Sequence, residues 1–237
     1  MATLGKKIKK LVRRMRGLTG DDERLIKQYE KVRQLGANSP NPYIKRSAQV
    51  PGWLFEGEHE FLYEQALQAP PGQYLEIGVL FGKSASIITG AIAERKRGEK
   101  LFAIDPFTVE GTPQDMHSYK ITHGLTESFK PFVEFAKKLG YYEHMIPLAT
   151  FSFTCLPLLD VKAGFAFIDG LHDFDAVLQD FELCAPKMVP GARVLFHDAN
   201  ESYYPGVVKA INTVLEKHPE YRKLGQAGNL LALEKKA

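Results

Sequence analysis

Two short apolar runs, each ending in a glycine turn that holds an acid, constrain this chain more than any other feature. They are Tyr74-Leu75-Glu76-Ile77-Gly78-Val79-Leu80-Phe81-Gly82-Lys83-Ser84 and, about ninety residues later, Phe165-Ala166-Phe167-Ile168-Asp169-Gly170-Leu171-His172-Asp173. An apolar strand that stops at such a turn is where open α/β sheets place their ligands. From Gln73 onward strands alternate with helices: strand Gln73 to Ile77, helix Lys83 to about Arg95, strand Lys100 to Ile104, and a helix ending near Gly140. Strands at Met145 to Leu148 and Phe165 to Ile168, a helix at about Ala176 to Pro186, a strand at Ala192 to His197 and a helix at about Gly206 to His218 follow. This alternation predicts a parallel sheet covered on both faces. The last two strands, Tyr221 to Gly225 and Asn229 to Glu234, are separated by a short turn and are expected to run antiparallel.

The N-terminal part has a different character. Met1 to Leu18 carries seven basic residues and no acid, so the net charge of +3 leaves the remainder at −4. A mildly acidic body argues against a general nucleic-acid binder. Leu4, Ile8, Leu11, Val12, Met15 and Leu18 share one helical face, with Lys and Arg on the other. That pattern fits a peripheral membrane contact through residues 1–18 or a helix packed on another subunit. A second helix is expected to start at Asp21-Asp22-Glu23 and stop at Gly36. Ala37 to Gly52, with Pro40, Pro42 and Pro51, reads as a linker too broken for regular structure. A helix over Glu56 to Gln68 then leads into the core, giving an extension over 1–50 and a main domain over 51–237. The unpaired Cys155 and Cys184 indicate a reducing, cytoplasmic setting, and no apolar run approaches the ~20 residues that cross a bilayer.

Three nucleotide-binding readings compete for the first turn. A P-loop needs four residues between its glycines, and only three separate Gly78 from Gly82. A dinucleotide turn needs a glycine where Leu80 stands, so that backbone can approach a pyrophosphate. A nucleoside without a phosphate still fits. Asp105, 27 residues after Gly78, could accept hydrogen bonds from both ribose hydroxyls, which points to S-adenosylmethionine. Helix capping or a surface ion pair is the competing use of Glu76 and Asp105.

These residues resemble those of class I S-adenosylmethionine-dependent methyltransferases, within them the small-molecule and sugar O-methyltransferases related to macrocin O-methyltransferase and the cephalosporin-hydroxylase-like proteins. The resemblance runs from about Gly52 to Leu233. It rests on Gly52-Trp53-Leu54 with Glu58, Leu75-Glu76-Ile77-Gly78 through Gly82-Lys83-Ser84, Ile168-Asp169-Gly170-x-His172, and His197-Asp198. It implies a Rossmann-like, doubly wound, seven-stranded, mostly parallel sheet with an antiparallel last strand, and it implies a homo-oligomer. It also implies cofactor contacts from Glu76, Gly78, Ser84, Asp105, Ser152 and Asp169. Ser152 lies in Ala149-Thr150-Phe151-Ser152, which departs from the Gly-Asp/Glu-Ser wording usual there. A divalent metal, Mg²⁺ or Mn²⁺, would sit on Asp169, Asp198 and His197. Magnesium prefers oxygen ligands, and His197 suits Mn²⁺, Fe²⁺ or Zn²⁺ better.

Methyl transfer from a sulfonium needs an acceptor oxygen held in line and relieved of its proton. His172, three residues after Asp169, is the candidate base, with Asp169 beside it; capping of the following helix is its alternative role. Trp53, Tyr203 and Tyr204 are candidate walls of a small-molecule or saccharide acceptor pocket, and His117 and His123 lie in an insertion that could cover it. The expected activity is O-methylation of a hydroxyl. A non-catalytic scaffold of the same fold and a P-loop hydrolase are the alternatives.

Overall fold

The computed structural model describes residues 20–107 and 127–236. The basic segment 1–18 and the insertion bearing His117 and His123 lie outside the described residues. Three helices precede the sheet: α1 (Gly20–Ala37), α2 (Pro42–Ser47) and α3 (Glu58–Leu67). The alternating part follows as β1 (Gln73–Ile77), α4 (Lys83–Arg95), β2 (Leu101–Asp105), α5 (Phe129–Lys138), β3 (Met145–Ala149), α6 (Ser152–Cys155), β4 (Ala163–Ile168), α7 (Phe174–Cys184), β5 (Met188–Phe196), α8 (Pro205–Lys217), β6 (Tyr221–Ala227) and β7 (Leu230–Lys235). The sheet has seven strands in the order β3-β2-β1-β4-β5-β7-β6. Strands β1 to β5 pair in parallel, and β7 is antiparallel to both of its neighbours. The Rossmann-like expectation is met, including the antiparallel last strand.

Side chains alternate between two cores, as a sheet covered on both faces requires. Tyr74, Phe165, Phe167 and Leu195 face α3 and α4, while Leu75, Ile77, Ala166, Ile168, Val194 and Phe196 face α7 and α8. Helix α4 is buried on every side from Lys83 to Ile92 because α2 covers the face turned away from the sheet.

The linker reading of Ala37 to Gly52 is corrected by α2. Pro42 stands in the first turn, where its missing N–H costs nothing, and Asn41 Oδ1 accepts from Tyr43 N (2.9 Å) and Ile44 N (3.3 Å). Ile44 is part of the core, and Arg46 donates to Ser86 O (2.6 Å) and Thr89 Oγ1 (3.1 Å) on α4. The prolines punctuate this segment without preventing a helical turn. Strand β5 also begins four residues earlier than expected, because Met188 pairs with Ala163 across an irregularity in the β4–β5 ladder.

The fit of α2 on α4 rests on Gly90, where an added Cβ would lie 2.4 Å from Tyr43 Cβ. Alanine in mid-helix gains about 1 kcal/mol over glycine, but overpacking costs about 1–3 kcal/mol, so the steric term wins. Gly90→Ala is expected to lower the melting temperature and to speed proteolysis near Pro42–Ser47. A variant as stable and protease-resistant as the parent would show that α2 yields freely.

Candidate active site

The parallel register lines up the ends of four strands. Ile77 pairs with Ile104 and Ile168, and Ile168 pairs with Phe196. One residue further on stand Gly78, Asp105, Asp169 and His197, which therefore line one edge of the sheet, Asp105 as the last residue of β2. The ladder continues for that step: Gly78 N donates to Ile104 O (3.0 Å), Asp169 N to Ile77 O (2.8 Å) and His197 N to Ile168 O (3.1 Å). Strand order reverses at β1, so the edge between β1 and β4 is the switch point where ligands bind.

The turn after β1 is shaped by two contacts. Gly78 has φ +85, and a Cβ there would sit 1.9 Å from Asp169 O, so only glycine fits. Asp105 then holds the turn: its Oδ2 accepts from Val79 N and Leu80 N, both at 2.8 Å, and its Oδ1 accepts from Phe107 N at 2.6 Å. Leu80 is thereby kept at φ 50, a left-handed conformation uncommon for a residue with a side chain. Glu76 is fully buried on the face toward α4; Ser84 Oγ donates to its Oε1, and its Oε2 has no partner among the described residues. Lys83 turns away from the turn, donating to Ser47 O and Val50 O, both at 3.3 Å. A P-loop lysine must reach phosphate, so the P-loop alternative loses its cation.

A second group of side chains lies across Asp169. Ligand atoms of Asp169, His172 and Asp198 all fall within 4.8 Å of one another. His172 Nε2 is 2.9 Å from Asp198 Oδ2 and 3.9 Å from Asp169 Oδ1, yet it is aligned for a hydrogen bond with neither and is otherwise unpartnered. His197 Nδ1 lies 3.2 Å from Asp169 Oδ1 and 3.5 Å from Asp198 Oδ2, while its Nε2 is 3.1 Å from Glu58 Oε2. Asp198 adopts φ 54, a strained geometry that brings its carboxylate back toward the histidines. Two imidazoles crowded on two carboxylates, one nitrogen out of hydrogen-bond alignment, form a donor set that fits a divalent cation.

The electrostatics follow from this crowding. Burial pushes the His172 ring toward neutrality, but the adjacent carboxylates of Asp169 and Asp198 outweigh it and raise its pKa to about 10. His197 is likewise raised well above its ordinary value, burial being overcome chiefly by Asp169. Burial opposes ionisation of Asp198 as well, and both histidines together hold it well below the usual carboxylate range. Without a cation, then, the two carboxylates favour the protonated form of His172.

The remaining expected residues fall nearby or elsewhere. Ser152 opens α6 and donates to Asp180 Oδ1 (2.5 Å) on α7; burial pushes Asp180 up to about 6. Tyr204 stacks on His172 with ring centroids 4.4 Å apart, whereas Tyr203 is 77% exposed. Trp53 packs edge-on against Tyr29 at 5.1 Å. Sequence reasoning gave no role to Asp180, although an acid beside Val177, Phe181 and Cys184 on the buried face of a helix is itself a signal. Glu58 stands in the sequence only as part of the family resemblance; 139 residues from His197, it follows no local pattern.

Glu76 generates a pH prediction. Burial pushes its carboxyl up to about 8, with the Ser84 hydrogen bond opposing and the Asp169 and Asp105 charges reinforcing. The folded protein therefore holds a proton that the unfolded chain releases above its ordinary value near 4.5. Its stabilisation is full below that value and is lost as pH rises toward 8 and beyond. Glu76→Gln, permanently neutral, is expected to gain stability relative to the parent as denaturation midpoints are followed from pH 5 to pH 9. Parallel pH profiles for the two proteins would rule out a buried proton on Glu76.

Comparison with known proteins matches this edge of the sheet. The methyltransferase-domain family matches residues 75–199, from the first turn through the end of β5. A curated relative, an uncharacterized protein of Acanthamoeba polyphaga mimivirus, is 26% identical over 143 residues, or 60% of this chain. The chain spans 58% and 15% of the lengths of the two curated relatives it matches. Among solved structures, the O-methyltransferase NovP superposes with a TM-score of 0.66 at 13% identity, covering 91% of this chain and 98% of its own. CalS11, a TDP-rhamnose 3'-O-methyltransferase of calicheamicin biosynthesis, superposes with a TM-score of 0.53 at 16% identity, covering 92% and 95%. With a family match over more than half its length and a sheet whose glycine turn and acid-bearing strand ends share one edge, the chain belongs to the class I S-adenosylmethionine-dependent methyltransferases.

Proposed function

We propose that this protein transfers the methyl group of S-adenosylmethionine to a hydroxyl of a small molecule or saccharide, with a divalent ion at Asp169, Asp198 and His197. One observation carries the reading: the turn at Gly78 and the carboxylate–histidine cluster meet at a single residue, Asp169. Cofactor and acceptor sites that share a residue hold their ligands side by side, as a displacement reaction requires. The fold shared with NovP and CalS11 supports hydroxyl acceptors, and CalS11 supports a sugar among them. The catalytic unit is residues 51–237, with the preceding residues as an extension anchored through α2.

Asp105 would take the ribose hydroxyls on lone pairs left by the turn's amides. Glu76 and Ser84 would close the far side of the turn, and Ser152, positioned by Asp180, would lie at the adenine edge. S-adenosylmethionine supplies a methyl group activated by its sulfonium. A divalent ion supplies stabilisation of the negative charge that develops on the acceptor oxygen. As the O–C bond forms and the S–C bond breaks, the acceptor's proton must leave. His172, beside Asp169 and Asp198, would be the group to accept it, and a divalent ion held by the two carboxylates and His197 would favour the neutral ring that this role needs. Tyr204, stacked on the ring, fixes its orientation.

Binding of S-adenosylhomocysteine tests the reading. At a hundred times Kd it should stabilise the protein by ~2.7 kcal/mol, roughly 5 to 10 °C in melting temperature. Asp105→Ala should weaken binding about tenfold to a hundredfold, since hydrogen bonds to a charged group contribute ~1.5–3 kcal/mol each. A melting temperature indifferent to the nucleoside would remove the proposal, and unchanged affinity in Asp105→Ala would remove the ribose assignment.

A further inference from the structure

Glu58 is fully buried at the first position of α3, and all three groups around it are nitrogens. Its Oε2 accepts from Phe55 N (2.6 Å) and its Oε1 from Asn229 N (2.7 Å), leaving His197 Nε2 at 3.1 Å from Oε2 as the third partner. A carboxylate so placed only accepts, so the ring proton of His197 belongs on Nε2. In the neutral ring Nδ1 is then a lone pair, and it faces two further acceptors, Asp169 Oδ1 and Asp198 Oδ2. A lone pair among carboxylate oxygens is repulsive unless a proton or a metal ion stands between them, and a metal ion can take the proton's place. The same glutamate also steadies the Asp198 loop, because Asn229 O accepts from Ala199 N at 2.8 Å.

We infer that Glu58 is a positioning residue that locks His197 with Nδ1 as a metal donor, giving the site nitrogen character and a preference for a borderline transition-metal ion over Mg²⁺. An imidazole whose second nitrogen is tied to a carboxylate is both oriented and made more basic as a ligand. Mg²⁺ favours an all-oxygen shell, whereas Mn²⁺, Fe²⁺ and Zn²⁺ accept imidazole. This deepens the proposed methyl transfer and rests on it for the ion's purpose, but not for the ion's binding. No pattern in the sequence joins Glu58 to His197; the packing of α3 over the ends of β5 and β7 does.

The test is metal binding to the full chain without cofactor or acceptor. Mn²⁺ is titrated by loss of its free-ion electron paramagnetic resonance signal, with Mg²⁺ as competitor, and the loaded protein is examined by pulsed resonance for ¹⁴N coupling. The parent is expected to prefer Mn²⁺ by about tenfold or more and to show the coupling. In Glu58→Gln the amide can accept on one side only, so either the ring tautomer or the Asn229 contact is lost. Mn²⁺ affinity should fall about 10- to 100-fold, with Mg²⁺ affinity changed far less. A merely structural Glu58 would weaken both ions alike. Should that variant not fold, His172→Asn decides, since its ¹⁴N coupling must then come from His197. Equal loss of both ions, absence of the coupling in His172→Asn, or no Mn²⁺ preference in the parent would overturn the inference. S-adenosylhomocysteine binding, measured separately, can fail while the metal result stands, which separates the two proposals.

Discussion

The close passage of Gly78 past the Asp169 peptide is the constraint on which the site depends. A Cβ at Gly78 would lie 1.9 Å from a backbone oxygen, which no side-chain adjustment can relieve. The approach exists because β1 and β4 stay in register to their last residues and exchange one more backbone hydrogen bond beyond the strands. Everything proposed for the chemistry follows from that contact. It sets the turn that leads into α4 against the loop carrying His172, so ligands of the two regions would be neighbours. A shift of even one residue in the β1–β4 register would move Glu76 to the opposite face and separate the two.

A buried lysine and a half-buried arginine explain why the N-terminal helices form part of the same body. Lys83 and Arg46 both end on main-chain carbonyls, Lys83 reaching from α4 to the α2 region and Arg46 reaching back from α2 to α4. Burial lowers Lys83 to about 8 and also lowers Arg46, so each depends on oxygens the opposite segment supplies. The lysine that superficially suggests phosphate binding is thus committed to holding α2 in place. Its proximity to a glycine turn is a matter of sequence, and its direction is a matter of packing.

Much of the fold was legible because local patterns and tertiary placement agree. The bounds of β1 and α4 follow from the apolar run and from the glycines on either side, and the terminal strands follow from a short turn between two β-rich runs. The helix at Pro42–Ser47 was not legible, because the cluster of Pro40, Pro42 and Pro51 masks the Asn41-Pro42 pair that caps and starts it. In the site, Asp169, His172, His197 and Asp198 are brought together as expected for residues at neighbouring strand ends. Glu58 and Asp180 escaped for a different reason. Each acts through a side chain far away in sequence, and only the packed structure shows what they face.

The carboxylates of this edge meet the difficulty of burial in different ways, and the differences indicate how the work is divided. Asp105 and Glu58 both accept from main-chain N–H groups, and Glu58 also faces the His197 ring. Asp169 and Asp198 instead face imidazoles, partners that can exchange a proton for a metal ion. Glu76 has one hydroxyl and is kept neutral up to about 8. The first pair therefore shapes the site, Asp105 through the turn's amides and Glu58 through two amides and the orientation of the His197 ring. The second pair is the place where charge can change, and it lies against the turn that would hold a cationic methyl donor. A hydroxyl acceptor, which must lose a proton as it gains a methyl group, is the substrate chemistry that calls for both kinds of carboxylate at one strand edge.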